Sequence, residues 1–185
     1  YHLSQMRGGT RERSSRLFEE WFHGTVDYDQ GRAIRTRYQR DHIEKYGVPV
    51  KKGLMELLTY LKERGIPAAV ATSTARKEAS RYWDMAGVTP YLTASVCGDE
   101  VTKGKPDPEI FLTAAKKLKT PPAQCLILED SLNGIRAAKA AGALSCMVPD
   151  LTPADDGIRP FCDIICEDLS QVIPYLDSGG SSLQS

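Results

Sequence analysis

The chain has 185 residues, and its 24 Lys and Arg balance 24 Asp and Glu, so the formal net charge is zero. Because phosphate neutralisation drives binding to nucleic acids and anionic membranes, this balance excludes both as default partners. Hydrophobic residues make up 41% of the sequence and no apolar run approaches the roughly 18 residues of a membrane helix, which predicts a globular cytoplasmic protein.

The first part of the chain, residues 1–48, is charged and shows helical periodicity. Apolar residues three and four positions apart over residues 17–22 predict one amphipathic helix. A second helix, which Asp29 could begin, carries apolar residues over 34–46. The sequence therefore predicts a helical pair at the start of the chain.

From residue 49 onward, short apolar segments alternate with helical patterns. The strand patterns cover 66–72, 91–97, 125–128, 144–148 and 163–166. The helical patterns cover 53–64, 108–118 and 134–141, with a further one through Trp83 and Met85. Such alternation is typical of right-handed βαβ units. We therefore predict an α/β fold with a doubly wound parallel sheet over residues 49–177, followed by a flexible Ser/Gly-rich tail over 178–185.

The cysteine pattern favours reduced thiols. The count is odd and no CxxC pair occurs, which argues against a disulfide framework and against a structural zinc site. The five residues are Cys97, Cys125, Cys146, Cys162 and Cys166.

Polar side chains lie at or shortly after the carboxyl ends of the first three predicted strands. Thr72 ends the first strand and Ser73 follows it, Lys105 comes shortly after the second, and Glu129 and Asp130 follow the third. Because the carboxyl ends of parallel strands share one sheet edge, we expect these side chains to lie close together.

The chemistry of these residues suits a phosphate group and a divalent cation. The Thr72 hydroxyl and the amides of Ser73 and Thr74, which we expect to open a helix, can face phosphate oxygens, although ordinary helix capping is the alternative. Lys105 lies in a stiff Gly- and Pro-rich loop, where it is either a phosphate-binding point charge or a solvated surface residue.

The acidic pair points more directly to a metal. Two adjacent carboxylates at the end of a buried strand are costly without a cation, and carboxylate oxygens are ligands that Mg²⁺ prefers. The alternative is that Asp130 or Ser131 caps the following helix, which we rank below a metal site.

In this order, the three segments resemble the haloacid dehalogenase (HAD) superfamily of phosphotransferases and, within it, the phosphatases similar to β-phosphoglucomutase. The resembling segments are 71–74, 104–111 and 128–142. The resemblance implies a Mg²⁺-dependent phosphatase that hydrolyses a small phosphate ester, such as a sugar phosphate, through an aspartyl-phosphate. Thr72, Ser73 and Lys105 would then bind the transferring phosphoryl group, and Glu129 and Asp130 would hold Mg²⁺.

The first motif of that family is absent from this chain. It is a DxD sequence that ends an N-terminal apolar strand at the centre of the sheet, and its first Asp is the nucleophile. The only DxD here is Asp27-Tyr28-Asp29, which lies in the helical section, and we interpret both aspartates as solvated or helix-capping residues. Since the chain starts at Tyr1, we expect the strand and the nucleophile to lie upstream, and the printed chain to fold poorly alone and to be inactive.

The helical pair would then be part of a small cap domain over residues 1–48. Residues 7–12 resemble the cap motif of β-phosphoglucomutase, in which the arginine matching Arg11 holds the non-transferring phosphate of the substrate. An exposed arginine at a helix start is an equally good interpretation of Arg11.

Two other functions remain open at this point. A β-phosphoglucomutase would return the phosphoryl group to a second hydroxyl of the sugar, and the Arg11 motif favours it. A catalytically inactive HAD-like binding domain is compatible with the missing nucleophile.

Overall fold

The structure, a computed structural model, describes residues 11–151, 153–155 and 157–179. It begins with two helices, α1 (Arg11–Phe22) and α2 (Tyr28–Tyr46). The ring of Phe18 lies 4.5 Å from that of Phe22 and 5.5 Å from that of Tyr28, centroid to centroid, so an aromatic cluster joins the two helices. The predicted helical pair is therefore present.

Asp27 rather than Asp29 begins the second helix. Its Oδ1 accepts a hydrogen bond from the backbone N of Gln30 at 2.7 Å, which satisfies one of the free amides of the first turn. Asp27 is thus a helix-capping residue, one of the two roles that the sequence predicted for it.

The remainder of the chain alternates helices and strands, as predicted. The elements in order are α3 (Leu54–Glu63), β1 (Ala69–Ala71), α4 (Arg76–Met85), β2 (Ala94–Val96), α5 (Glu109–Leu118), β3 (Leu126–Glu129), α6 (Leu132–Ala140), β4 (Leu144–Met147), β5 (Ile164–Ile165) and α7 (Val172–Asp177). Strand β2 is shorter than its apolar pattern, and at its start Tyr91 belongs to a 3₁₀ turn over Thr89–Tyr91 with Pro90 near its beginning. Within the described residues, no helix combines the length and apolar character needed to cross a membrane.

All strand pairs are parallel, and they form two groups. β1 pairs with β2, Ala69 opposite Ala94, and β4 lies between β3 and β5, with Leu126 of β3 opposite Leu144 of β4. Across the described ranges, no ladder of hydrogen bonds joins β1 to β3. Each of these strands therefore presents an open edge, which is where the resemblance implies a further central strand.

Helices α5 and α6 hold the two strand groups together on one face. Their buried residues include Ile110 and Phe111 of α5 and Ala137 and Ala138 of α6. These residues form one cluster with Val96 and Ala114, against which Ala69, Ala71 and Ile127 pack. Burial of apolar side chains thus connects β1, β2 and β3 where backbone pairing does not.

Helices α3 and α7 cover the opposite face. Leu57 of α3 and Val172 and Tyr175 of α7 are buried together with Cys146 of β4. The next residue, Met147, packs with Ile135 of α6 on the other face. This alternation is the period of two that a strand covered on both faces requires, and it confirms the doubly wound arrangement. All five cysteines are free, and burial raises the pKa of the Cys146 thiol.

The connection from α2 to α3 is attached to the turn that precedes α7. The Asp168 carboxylate accepts hydrogen bonds from Lys52 Nζ at 2.6 Å and from the backbone N of Ser170 at 2.9 Å. Gly53, at φ +80°, lies so close that a Cβ there would be 2.3 Å from Ser170 N. The hydrogen bonds from Lys52 and Ser170 lower the pKa of Asp168 to about 2.

We expect Asp168→Asn to destabilise the protein in a pH-dependent way. A lowered carboxyl pKa contributes stability that is complete above the unfolded value, near 3.8, and is lost as the pH falls through about 2. The urea midpoints of the two proteins should therefore differ most near neutral pH and converge near pH 2. Lys52→Gln should remove part of the same pH dependence, and a difference that stays constant from pH 7 to pH 2 would contradict this origin.

Candidate active site

Lys105 and Glu129 meet at the carboxyl edge of the strands. The Nζ of Lys105 donates a hydrogen bond to the carbonyl oxygen of Ala71, the last residue of β1, at 3.3 Å. It also forms an ion pair with the carboxylate of Glu129, the last residue of β3. The two side chains are only 7% and 8% exposed, so this buried ion pair spans the open edges of the two strand groups. Lys105 is therefore not a solvated surface residue.

The ammonium of Lys105 has a third neighbour. The ring of Phe111, in the first turn of α5, lies 4.7 Å from Nζ. A buried ammonium is stable only when its charge is balanced. Here the Ala71 carbonyl, the Glu129 carboxylate and the face of the Phe111 ring together stabilise it.

Glu129 is held in place by the start of α6. Its Oε2 accepts a hydrogen bond from Ser131 Oγ at 3.2 Å, and Ser131 Oγ in turn accepts one from the backbone N of Gly134 at 3.1 Å. Ser131 is thus the N-cap of α6. The sequence allowed either Asp130 or Ser131 to cap this helix. Since Ser131 is the cap, the Asp130 carboxylate is available for another role.

Asp130 differs from its neighbour in having no such contacts. In the part of the chain that the structure describes, no hydrogen bond or ion pair engages its half-buried carboxylate. Glu129 and Asp130 together offer carboxylate oxygens, the donors that Mg²⁺ takes in proteins. The donor set therefore fits Mg²⁺, and of the two carboxylates that of Asp130 is the one without a protein partner among the described residues, whereas that of Glu129 is paired with Lys105.

The segment after β1 departs from the sequence-based expectation in one respect. α4 begins at Arg76, so the amides of Ser73 and Thr74 precede the helix instead of opening it, and the prediction was wrong here. The reason is that Asp99 accepts the hydrogen bond of the Arg76 amide at 3.0 Å and so caps α4 from a distant loop. Thr72 Oγ1 accepts a hydrogen bond from Thr74 N at 3.2 Å, which keeps this hydroxyl at the strand end.

The loops that carry Thr72 and Lys105 are braced against each other. Gly98 N donates to the carbonyl oxygen of Thr74 at 3.0 Å, and a Cβ on Gly98 would lie 2.3 Å from the carbonyl oxygen of Ser73. This close approach requires a residue without a side chain. The sequence contains the glycine but no signal that identifies its partner.

A second acidic cluster lies beside this brace. Cys97, Asp99 and Glu100 offer ligand atoms within 4.8 Å of one another. Glu100, however, forms ion pairs with Arg76 and, at 2.7 Å, with Lys117. These contacts lower the pKa of Glu100, and with Asp99 capping α4 the cluster is structural.

Arg11 lies at the start of α1 and pairs with α2. Its Nη2 is 2.8 Å from both carboxylate oxygens of Asp29, and both side chains are more than half exposed. The pair raises the pKa of Arg11. This geometry agrees with an exposed helix-start arginine, and residues 7–10 of the cap-like motif lie outside the described residues.

Comparison with known proteins gives one family. The model of the haloacid dehalogenase-like hydrolase family matches residues 6–142. The chain is 42% identical over 123 residues to the bifunctional riboflavin kinase/FMN phosphatase of Arabidopsis thaliana, and the matched region covers 62% of this chain and 32% of that protein. It is 40% identical over 90 residues to the phosphorylated carbohydrates phosphatase of Thermotoga maritima, and this match covers 49% of this chain and 42% of that protein. The chain thus spans less than half the length of either relative.

A solved structure shows the same fold over a larger share of the chain. The crystal structure of a hydrolase from Pseudomonas syringae matches with a TM-score of 0.79 at 21% identity and covers 97% of this chain and 83% of that one. At this identity the match supports the fold alone.

The position of Glu129 depends on Gly134, which gives a stability test. A Cβ on Gly134 would lie 2.0 Å from Glu129 Oε2, so Gly134→Ala should displace the carboxylate and destabilise the protein by about 1–3 kcal/mol. Gly31→Ala is the matched control, because a Cβ at this other helical glycine meets only Phe18 Cζ, at 3.8 Å. The control should be neutral or stabilising by up to about 1 kcal/mol. Urea unfolding measures both, and a Gly134→Ala protein as stable as the control would refute the contact.

Proposed function

The chain belongs to the haloacid dehalogenase-like hydrolase family, and we propose that it carries the phosphate- and metal-binding part of a Mg²⁺-dependent phosphatase. The observation that carries the proposal is the convergence of Lys105, Glu129 and Asp130 on one edge of the strands, with Lys105 bonded to the end of β1 and paired with the end of β3. Both curated relatives named above are phosphatases by name.

Lys105 and Thr72 would bind the transferring phosphoryl group, with Ser73 beside them. The Lys105 ammonium lies between the ends of β1 and β3, so a phosphoryl group placed there could replace Glu129 as its partner. The charge of one lysine and two carboxylates sums to −1, which repels a phosphate dianion. When bound at Asp130 and Glu129, Mg²⁺ would supply the positive charge that makes such a site attractive to phosphate.

The nucleophile in this proposal is an aspartate encoded upstream of Tyr1. The open edges of β1 and β3 could accept a further parallel strand, whose carboxyl end would lie between Ala71 and Glu129 and beside Lys105. An aspartate there could attack the phosphorus atom of an ester whose phosphoryl oxygens Lys105 holds, and the bond to the ester oxygen would break so that the alcohol leaves after protonation. Water would then hydrolyse the aspartyl-phosphate, releasing inorganic phosphate and freeing the aspartate.

The proposed substrate is a small phosphate ester, most simply a sugar phosphate. The name of the Thermotoga maritima relative, a phosphorylated carbohydrates phosphatase, supports this class. Residues 1–48 would form part of the cap that selects the substrate, residues 49–177 the catalytic core, and Arg11 a contact to a second phosphate if Asp29 releases it. We propose a cytoplasmic location, as the composition of the sequence predicts.

Asp130→Asn tests the metal assignment. In the complete gene product, we expect the variant to bind Mg²⁺ more weakly in calorimetry and to release phosphate from a panel of sugar phosphates and FMN at least about 100-fold more slowly. Asp150→Asn, at an exposed residue beside Lys51, is the control and should retain activity.

The outcomes of that screen separate the possible functions. Undiminished Mg²⁺-dependent turnover by Asp130→Asn would refute the metal site. Isomerisation of hexose phosphates without phosphate release would identify a β-phosphoglucomutase instead. A gene that encodes no DxD-terminated strand, with no turnover, would leave a binding domain.

Residues 1–185 expressed alone should form no aspartyl-phosphate. Both aspartates of the DxD sequence already have structural partners: Asp27 caps α2 through Oδ1 and Asp29 pairs with Arg11. Incubation with a radiolabelled phosphate ester, followed by a test for hydroxylamine-labile label, measures this. Stable label that disappears in Asp27→Asn would overturn our rejection of Asp27 as the nucleophile.

A further inference from the structure

The loop that delivers Lys105 to the site is closed by a carboxylate from α5. The side chain of Glu109, the first residue of α5, accepts hydrogen bonds from Thr102 N at 2.9 Å, Thr102 Oγ1 at 2.8 Å and Lys103 N at 2.7 Å. These three bonds lower the pKa of Glu109. A single carboxylate thus holds the beginning of the loop against the beginning of the helix.

Asp107 closes the second half of the same loop. Its backbone N donates to the carbonyl oxygen of Gly104 at 3.1 Å, and its Oδ1 accepts a hydrogen bond from Glu109 N at 3.0 Å. Between these contacts lies the buried Lys105. It is the one buried residue of the segment 102–109, all of which the structure describes.

Helix polarity alone does not account for the direction of the Glu109 side chain. An acidic residue in a first turn is stabilised by the helix dipole and could accept a bond from an amide of its own helix. Glu109 instead bonds to residues six and seven positions earlier in the chain. Its carboxylate therefore fixes the loop, with charge-assisted bonds that are stronger than neutral ones.

The helix to which the loop is fixed is itself rigidly placed. Ile110 and Phe111 follow Glu109 and are 1% and 7% exposed in the cluster that joins the strand groups. Phe111 also contacts the Lys105 ammonium. The position of the Lys105 ammonium relative to the core is therefore set by α5, by the bonds of Glu109 to the loop, and by the closed loop itself.

We propose that Glu109 is a positioning residue that sets the Lys105 ammonium at the phosphate site by fixing the 102–109 loop to α5. The inference rests on the proposed function for the role of Lys105. It adds that the affinity for phosphate depends on a carboxylate that bonds neither to Lys105 nor to the acidic pair.

The test compares four variants of the complete gene product for binding of inorganic phosphate in the presence of Mg²⁺, by calorimetry. Glu109→Ala should weaken binding about tenfold, the lower end of the loss seen when an outer partner of a binding group is removed. Lys105→Met should weaken it at least as much. The double variant should bind no more weakly than Lys105→Met, because both changes disable the same ammonium.

Glu56→Ala is the matched control. Glu56 also lies in the first turn of a helix, α3, and is exposed, so its removal changes charge and helix polarity without touching the loop. It should leave phosphate affinity unchanged. Amide hydrogen exchange at Thr102 and Lys103 should accelerate in Glu109→Ala and not in the control.

Each outcome decides the matter. Wild-type phosphate affinity in a folded Glu109→Ala, or additive losses in the double variant, would overturn the positioning role and leave the proposed function intact. Unchanged affinity in Lys105→Met would overturn both. If Glu109→Ala fails to fold, Glu109→Gln, which retains one acceptor oxygen, takes its place and should show a smaller loss with the same non-additivity.

Discussion

The buried ion pair between Lys105 and Glu129 is the constraint on which the rest of the site depends. Removing two charges from water costs several kcal/mol for each ion, and the cost is recovered only with good geometry and further hydrogen bonds. The fold provides these through the Ala71 carbonyl, the Phe111 ring and the Ser131 hydroxyl. Without any one of them, a charged group at the end of a strand would be poorly satisfied.

The same constraint explains why small residues flank the pair. Gly134 allows the Glu129 carboxylate to lie against the first turn of α6, and Gly98 allows the loop before Lys105 to lie against the segment after Thr72. A side chain at Gly134 would displace the Glu129 carboxylate, and one at Gly98 would push the loop before Lys105 away from the segment after β1. Close backbone approach is thus a requirement of the charged site as well as of the sheet.

The position of the pair also relates structure to the proposed chemistry. β1 and β3 share no ladder in the described ranges, and their connection consists of apolar packing under α5 and α6 and of Lys105 above. A phosphate and a cation that separate Lys105 from Glu129 would exchange one set of opposite charges for another, so the site could bind both without leaving a buried charge unbalanced.

The sequence by itself determined the alternation of strands and helices, because apolar periodicity reflects burial on one or two faces. It also placed Thr72 and Glu129 at strand ends and Lys105 in a loop after the second strand. It did not determine that Asp99 caps α4, that Ser131 rather than Asp130 caps α6, or that Glu109 closes the Lys105 loop. Each of those roles depends on which donor packing brings to a carboxylate or hydroxyl. For the ion pair the partners are 24 positions apart, and only the tertiary structure, through the packing of α5 and α6 on the strands, decides that they meet.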